Sequence, residues 1–409
     1  MNNPQMQISQ RVQEIPEALS IYINQLVYDE KRRGRDITTL SLGEAFFQIP
    51  LFDFTKLDYI KGYHYSESQG LPELRKKIAQ YYTNVYQAPV DAQNEVLISA
   101  GSKILIYLAL QATINPGDEV LIHEPAWLSY QEQVRLAGGV VRFIPYHVEP
   151  KDFHHYFSDK TKMLILNNPN NPAGWLYPEK ALRDLYAQTR SCGIYILMDE
   201  AYSDFVVDDG FCSMARVAPD KQGVIVVNSL SKNMGMSGWR IGYVIAEPCL
   251  IRHLLKLNQH TITCGPTLLL HYLARYFDDI LSVTLPQVRE VVEKRKRVEK
   301  MIQQMGLNVL GGSATFYFFV GLGDFSGSGH EFSLDLLLNH GIAVVPGSAY
   351  GESTAQFVRV SIGTESEERI EEALKIIKDQ TLRKDFQTGI TSELLQKRGY
   401  PLFQNTVSL

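Results

Sequence analysis

Cysteine is scarce in this chain: four in 409 residues, at positions 192, 212, 249 and 264, with no C-x-x-C pair. That excludes a disulfide framework and gives no zinc-ligand spacing, so no metal is expected. Long apolar runs are also missing. None approaches the ~20 residues a membrane-spanning helix requires, and the polar start Met1-Asn2-Asn3-Pro4-Gln5 carries no apolar signal segment, so a cytoplasmic location is expected. Charge of one sign is lacking too, with 40 basic against 45 acidic residues and a net charge of −5. Neither nucleic acid nor an anionic membrane is an expected partner. The basic cluster Lys294-Arg295-Lys296-Arg297 sits in a stretch of helical apolar spacing and reads as the solvated face of a helix. No internal repeat or low-complexity tract is present.

What remains is a chain of ordinary globular composition, 45% hydrophobic and 21% charged, long enough for one large domain and one smaller. Between about Asn94 and Ala246, short apolar runs such as Val120-Leu121-Ile122, Ile194–Met198 and Val224–Val227 alternate with helical candidates at Ile104–Thr113, Trp127–Ala137 and Pro178–Ser191. Continuous rather than alternating runs suit strands covered on both faces, and strand–helix–strand order suits a mostly parallel α/β sheet. After Pro248 the pattern predicts a helical region over Leu250–Phe277, a long helix over Leu285–Met305, then strands at Thr315–Val320, Ile342–Val345 and Phe357–Ser361 and a helix over Ser366–Gln380. The expected division is a large domain over 45–280, with 1–44 and 281–409 forming a smaller α+β domain. Residues 381–409 carry no assigned role.

Ligands of such sheets bind beyond the carboxyl ends of the strands, and the polar clusters of this sequence fall there. Asn228-Ser229-Leu230-Ser231-Lys232 follows the run Val224–Val227 and leads to Gly238-Trp239-Arg240. It sets one lysine among hydroxyls, with an arginine nearby: Lys232 can form a Schiff base with an aldehyde, and Ser229, Ser231 and Arg240 can hold a phosphate. Ala100-Gly101-Ser102-Lys103 opens a helix, where backbone N–H groups favour an anion. Asp199 ends the buried run Ile194–Met198 in Met198-Asp199-Glu200-Ala201-Tyr202. Further clusters are Asn167-Asn168-Pro169-Asn170-Asn171-Pro172-Ala173-Gly174, Glu124-Pro125-Ala126-Trp127-Leu128-Ser129-Tyr130, and Val345-Pro346-Gly347-Ser348-Ala349-Tyr350-Gly351 followed by Arg359-Val360-Ser361.

In this order, over roughly residues 15–380, these segments resemble those of class I/II aminotransferases, fold-type I enzymes that use pyridoxal 5'-phosphate (PLP). The resemblance implies a Schiff base on Lys232, Asp199 against the pyridinium nitrogen, and Ala201 beneath the ring. It makes Tyr202 and Asn171 donors to the phenolic oxygen and Trp127 the stacking ring. Gly101, Ser102, Lys103, Ser229, Ser231 and Arg240 would hold the phosphate, with Tyr65 reaching the phosphate of a neighbouring subunit in a homodimer with shared active sites. Arg359 would grip the substrate α-carboxylate, with Gly43 and Asn171 beside it. The implied activity moves an amino group between an L-amino acid and a 2-oxo acid by a ping-pong route, Lys232 serving as general base. The same scaffold also resembles PLP-dependent lyases, decarboxylases, 1-aminocyclopropane-1-carboxylate synthases and amino-acid oxidases, and a non-catalytic PLP-binding module is a further alternative. The segment Gly43-Glu44-Ala45-Phe46-Phe47 departs from the family's usual G-E-P-D-F. Phe46, Phe47 and Tyr317 are candidates for an apolar side-chain pocket.

Overall fold

Seven runs form one sheet in a computed structural model that describes residues 8–207 and 210–403. In chain order they are β1 (Val96–Ser99), β2 (Glu119–His123), β3 (Val140–Ile144), β4 (Thr161–Asn167), β5 (Tyr195–Asp199), β6 (Val224–Ser229) and β7 (Gly242–Ala246). They lie in the order β1-β7-β6-β5-β4-β2-β3. All neighbours are parallel except β7, which is antiparallel to both β1 and β6. Every residue of β6 and β7 is buried, as unbroken apolar runs require when helices cover both faces. One face packs Leu105, Leu108 and Leu254 from the helices Ser102–Thr113 and Pro248–Thr261, and the other packs Ile78, Tyr82 and Leu185.

A second sheet holds β8 (Tyr317–Gly321), β9 (Val345–Pro346) and β10 (Phe357–Ser361), antiparallel in the order β9-β10-β8. The predicted strand Ile342–Val345 is divided between two sheets. Ile342–Ala343 pairs in parallel with Thr38–Thr39, while Val345–Pro346 turns to pair with β10. That pairing fixes the N-terminal segment to the C-terminal part of the chain.

The helix Thr267–Gln304 kinks at Tyr276, whose dihedrals are non-helical, close to where the predicted helical region ends at Phe277; the predicted gap over 278–284 is helical instead, and Pro286 lies inside that second stretch. Ile280, Leu281 and Thr284 in the expected break are buried, and that packing carries the helix past its proline. The basic cluster is not a uniformly wet face either. Arg295 is fully buried, with its guanidinium 4.2 Å over Phe318, and the half-buried Lys294 donates to the Ile362 carbonyl at 2.8 Å. These two face Phe318 and Ile362 beside the second sheet, a direction that composition does not reveal.

Residues 382–403 are tied down rather than trailing. The helix Ile390–Lys397 leads to Tyr400, whose hydroxyl donates to the buried Glu30, and Arg398 donates to the same carboxylate at 2.6 Å. Tyr22 donates to the Pro401 carbonyl at 2.8 Å. The parts of the expected domains at residues 1–7, 208–209 and 404–409 lie outside the described residues.

Candidate active site

Strand ends set the positions of the polar side chains. Asn167 and Asp199 are register partners at the carboxyl ends of β4 and β5, and Ser229 ends β6 opposite Gly242. Asp199 is buried, with its carboxylate accepting from the Tyr130 hydroxyl at 2.7 Å and from the Ala201 amide at 3.1 Å. Burial pushes its pKa up, while Tyr130, the Ala201 amide and the positive Lys232 pull it back. Glu200, next along the chain, points away: it accepts from Ser213, the Met214 amide and Tyr82. The two adjacent acids thus have separate roles, one in the site and one holding the fold behind it.

Lys232 lies in the single turn Leu230–Asn233, capped by Ser229, whose hydroxyl accepts from the Ser231 amide at 3.0 Å. Its ammonium donates to the Gly43 carbonyl at 2.6 Å and stands 5.6 Å from the Tyr202 ring centre. Loss of water around it, the largest influence, and the positive Arg359 and Arg240 bring its pKa down to about 8, against the opposing pull of Glu44 and Asp199. Attack on an aldehyde requires the neutral amine, so uptake of PLP by the apo chain is expected to speed up through a midpoint near pH 8. An ordinary lysine would show a midpoint near 10.4. Absorbance-monitored uptake between pH 6 and 10 checks this.

Arg359, on β10, is buried, and among the described residues no carboxylate pairs with it. One nitrogen donates to the Ser41 carbonyl at 2.7 Å, another to the Asn171 side-chain oxygen at 3.2 Å, and Nε has no partner among the described residues. Its guanidinium is 4.5 Å from the Tyr317 ring centre. A buried cation held by neutral acceptors is poised for an anion that brings two oxygens. The Asn171 amide in turn donates to Tyr202 at 3.4 Å, and the Tyr202 hydroxyl is 2.9 Å from that of Tyr317.

The phosphate candidates gather at the start of the helix Ser102–Thr113. Gly101 has φ +96°, and a Cβ there would lie 2.7 Å from an Arg240 nitrogen, so the turn and the guanidinium meet only because the residue is glycine. The buried Ser231 hydroxyl lacks a partner among the described residues. Lys103 sits 4.9 Å over the Trp127 ring, which meets Tyr130 edge-on at 5.3 Å. The donor set fits PLP: a buried carboxylate for its ring nitrogen, phenol and amide donors for its oxygen, and serine, backbone and arginine donors for its phosphate.

Two expectations stand apart from this cluster. Tyr65 is 85% exposed and faces an open cavity that it shares with Ala100 and Cys264. The trio Phe46, Phe47 and Tyr317 is not gathered into one pocket: Phe46 is exposed, Phe47 stacks on Phe205, and Tyr317 is buried beneath Arg359. Sequence reasoning missed Tyr130 as a partner of Asp199, although it stands three residues after Trp127 in a segment already singled out. It also missed Glu124, whose buried carboxylate accepts from the Glu352 and Ser353 amides at 2.8 and 3.1 Å and clasps the Tyr350 loop to the large sheet.

The family pattern described as "Aminotransferase class I and II" matches residues 61–377. The chain is 31% identical over 372 residues to an aspartate aminotransferase of Pyrococcus abyssi, a match covering 87% of this chain and 95% of that protein. It is likewise 31% identical over 350 residues to a (5-formylfuran-3-yl)methyl phosphate transaminase of Methanocaldococcus jannaschii, covering 85% and 92%. Among solved structures, an aspartate aminotransferase from Thermus thermophilus with maleate superposes with a TM-score of 0.82 at 26% identity, covering 92% of this chain and 99% of that one.

Proposed function

Because the chain belongs to the class I and II aminotransferases and works as a PLP-dependent transaminase between an L-amino acid and a 2-oxo acid, we propose that Lys232 is its cofactor-binding lysine and proton carrier. The supporting observation is the meeting of a lysine of lowered pKa, a buried acid and an unpaired buried arginine around Gly43, Asn171 and Tyr202. When bound, PLP supplies an electron-withdrawing ring that stabilises negative charge at the substrate α-carbon.

The chain's own residues do the rest. Arg359 takes the α-carboxylate through the fork that Ser41 and Asn171 orient, and so fixes the direction of the Cα–H bond. Lys232 would carry the proton from Cα, a task typically worth ~10²–10⁴-fold. Asp199 holds positive charge on the ring nitrogen, with Tyr130 keeping its carboxylate ionised and aimed. Tyr202 and Asn171 donate to the phenolic oxygen, and Gly101, Ser102, Lys103, Ser229, Ser231 and Arg240 bind the phosphate. Trp127 covers the ring face. The two substrates use the site in turn, giving ping-pong kinetics.

The exposed Tyr65, beside the equally exposed Tyr63 and Ile60, supports a homodimer in which Tyr65 completes the partner's phosphate site. Residues 45–280 are proposed as the cofactor domain, and 1–44 with 281–409 as the smaller domain. A half-reaction tests the function: each amino acid is added to the PLP-loaded chain without oxo acid, aspartate and glutamate first and the aromatic amino acids next. One equivalent of 2-oxo acid per site and a pyridoxamine phosphate spectrum are expected, whereas ammonia or peroxide release with PLP retained would overturn it.

Tyr130→Phe gives a separate test of the support behind Asp199. It removes a hydrogen bond to an ionised group, worth about 1.5–3 kcal/mol. The expected result is weaker cofactor retention on dialysis with the circular dichroism spectrum unchanged.

A further inference from the structure

Tyr317 is buried and opens β8, and the sequence offers it only as a candidate for an apolar side-chain pocket. Among the described residues its hydroxyl has one hydrogen-bond partner, the Tyr202 hydroxyl at 2.9 Å, with the rings edge-on at 5.5 Å. Three independent features hold it there. The guanidinium of Arg359 covers its ring at 4.5 Å. A Cβ on Gly43 would stand 3.2 Å from its hydroxyl oxygen, so the glycine leaves just enough room for it. Two residues earlier, the buried Thr315 adopts φ +65°, a conformation that a β-branched residue takes only when its surroundings enforce it. The enforcing bonds run from the Thr315 amide to the Phe205 carbonyl at 2.7 Å and from the Tyr317 amide to the Thr315 hydroxyl at 3.2 Å.

We propose that Tyr317 is a positioning residue that donates its proton to the Tyr202 oxygen and so strengthens Tyr202 as a donor to the phenolic oxygen of PLP. A phenol has one proton. Once Tyr202 gives its own to the cofactor, and the Asn171 amide turns to that same cofactor oxygen, Tyr317 is the donor left for Tyr202 among the described residues. Linked hydroxyls polarise one another, which makes the inner one a better donor. The proposal rests on the reading that Lys232 carries the cofactor and Tyr202 touches it.

The readout is the pH midpoint of the visible absorption of lysine-bound cofactor. Donors to the phenolic oxygen favour the form in which that oxygen is negative, and so hold the midpoint low. The charged or titratable groups facing the pair are Arg359 on β10, Glu44 beside Gly43, Asp199 at the end of β5, Lys232, Tyr130 and Tyr350. All of them are retained in the variant. Tyr317→Phe keeps the ring under Arg359 and removes the hydroxyl alone. The midpoint is expected to rise by about half to one pH unit, the size of one neutral hydrogen bond. Amino-acid KM should change less than about twofold while kcat falls several-fold. In a Tyr202→Phe background the Tyr317→Phe shift should vanish, because its route to the cofactor is gone.

An unmoved midpoint in Tyr317→Phe, or the same shift with and without Tyr202, overturns the proposal. A visible band that survives Lys232→Ala in an otherwise wild-type chain overturns the underlying reading instead, and the two failures are therefore distinct.

Discussion

Lys232→Ala is expected to abolish the visible band of lysine-bound PLP and to lower turnover by at least ~10²–10⁴-fold, the usual worth of a positioned proton carrier. The variant should still fold. Lys232 is partly buried, it follows a strand whose register does not depend on it, and its removal relieves an ammonium that burial disfavours. The Gly43 carbonyl loses its 2.6 Å donor, but Gly43 is only half-buried, so water can replace the lysine. PLP should remain bound through the phosphate donors at Gly101, Ser102 and Arg240, only more weakly and without a covalent link. Absorbance spectra with single-turnover rates check both halves. An unchanged spectrum would remove Lys232 from its role.

Arg359 gives the second large effect, and it should appear in substrate affinity. Arg359→Ala removes charged hydrogen bonds worth about 1.5–3 kcal/mol to the bound carboxylate, so KM for amino and oxo acids should rise by about 10- to 150-fold. Arg359→Lys keeps the charge but not the planar fork, and should recover only part of that loss. Arg359→Ala leaves Asn171 and Ser41 without their donor, which makes a modest loss of thermal stability the accompanying result. Amines lacking the carboxylate offer the control, because their poor turnover should be nearly indifferent to Arg359. An unaltered KM for amino acids would place the carboxylate clamp elsewhere.

Much of this is legible in the sequence. Continuous apolar runs marked the strands of the large sheet, since burial on both faces leaves no room for alternation. The polar clusters following those runs were marked as the site, since ligands of parallel sheets bind there. Lys232, Asp199 and Asn171 follow such runs, whereas Arg359 lies on the smaller antiparallel sheet, and the roles expected of all four come from the resemblance to class I/II aminotransferases. Less was legible where one residue's role depends on a distant partner. Composition could not tell that Arg295 points inward and Arg297 outward on one helix, or that the helix crosses Pro286. Those outcomes are set by which surface packs against Thr267–Gln304.

The sequence by itself determined the chemical inventory and its order: one lysine among hydroxyls, an acid at a strand end, an asparagine turn and a late arginine. Tertiary structure alone decided how these act on one another. Tyr130 serves Asp199 from 69 positions away, Tyr317 meets Tyr202 across 115, and Arg359 orients on Asn171 across 188. Local patterns report how a residue sits on its own element, through periodicity and turn chemistry. A hydrogen bond between elements depends on sheet order, on the docking of one sheet against another, and on glycines such as Gly43 that permit close approach. Those are properties of the packed chain, and no single stretch of it contains them.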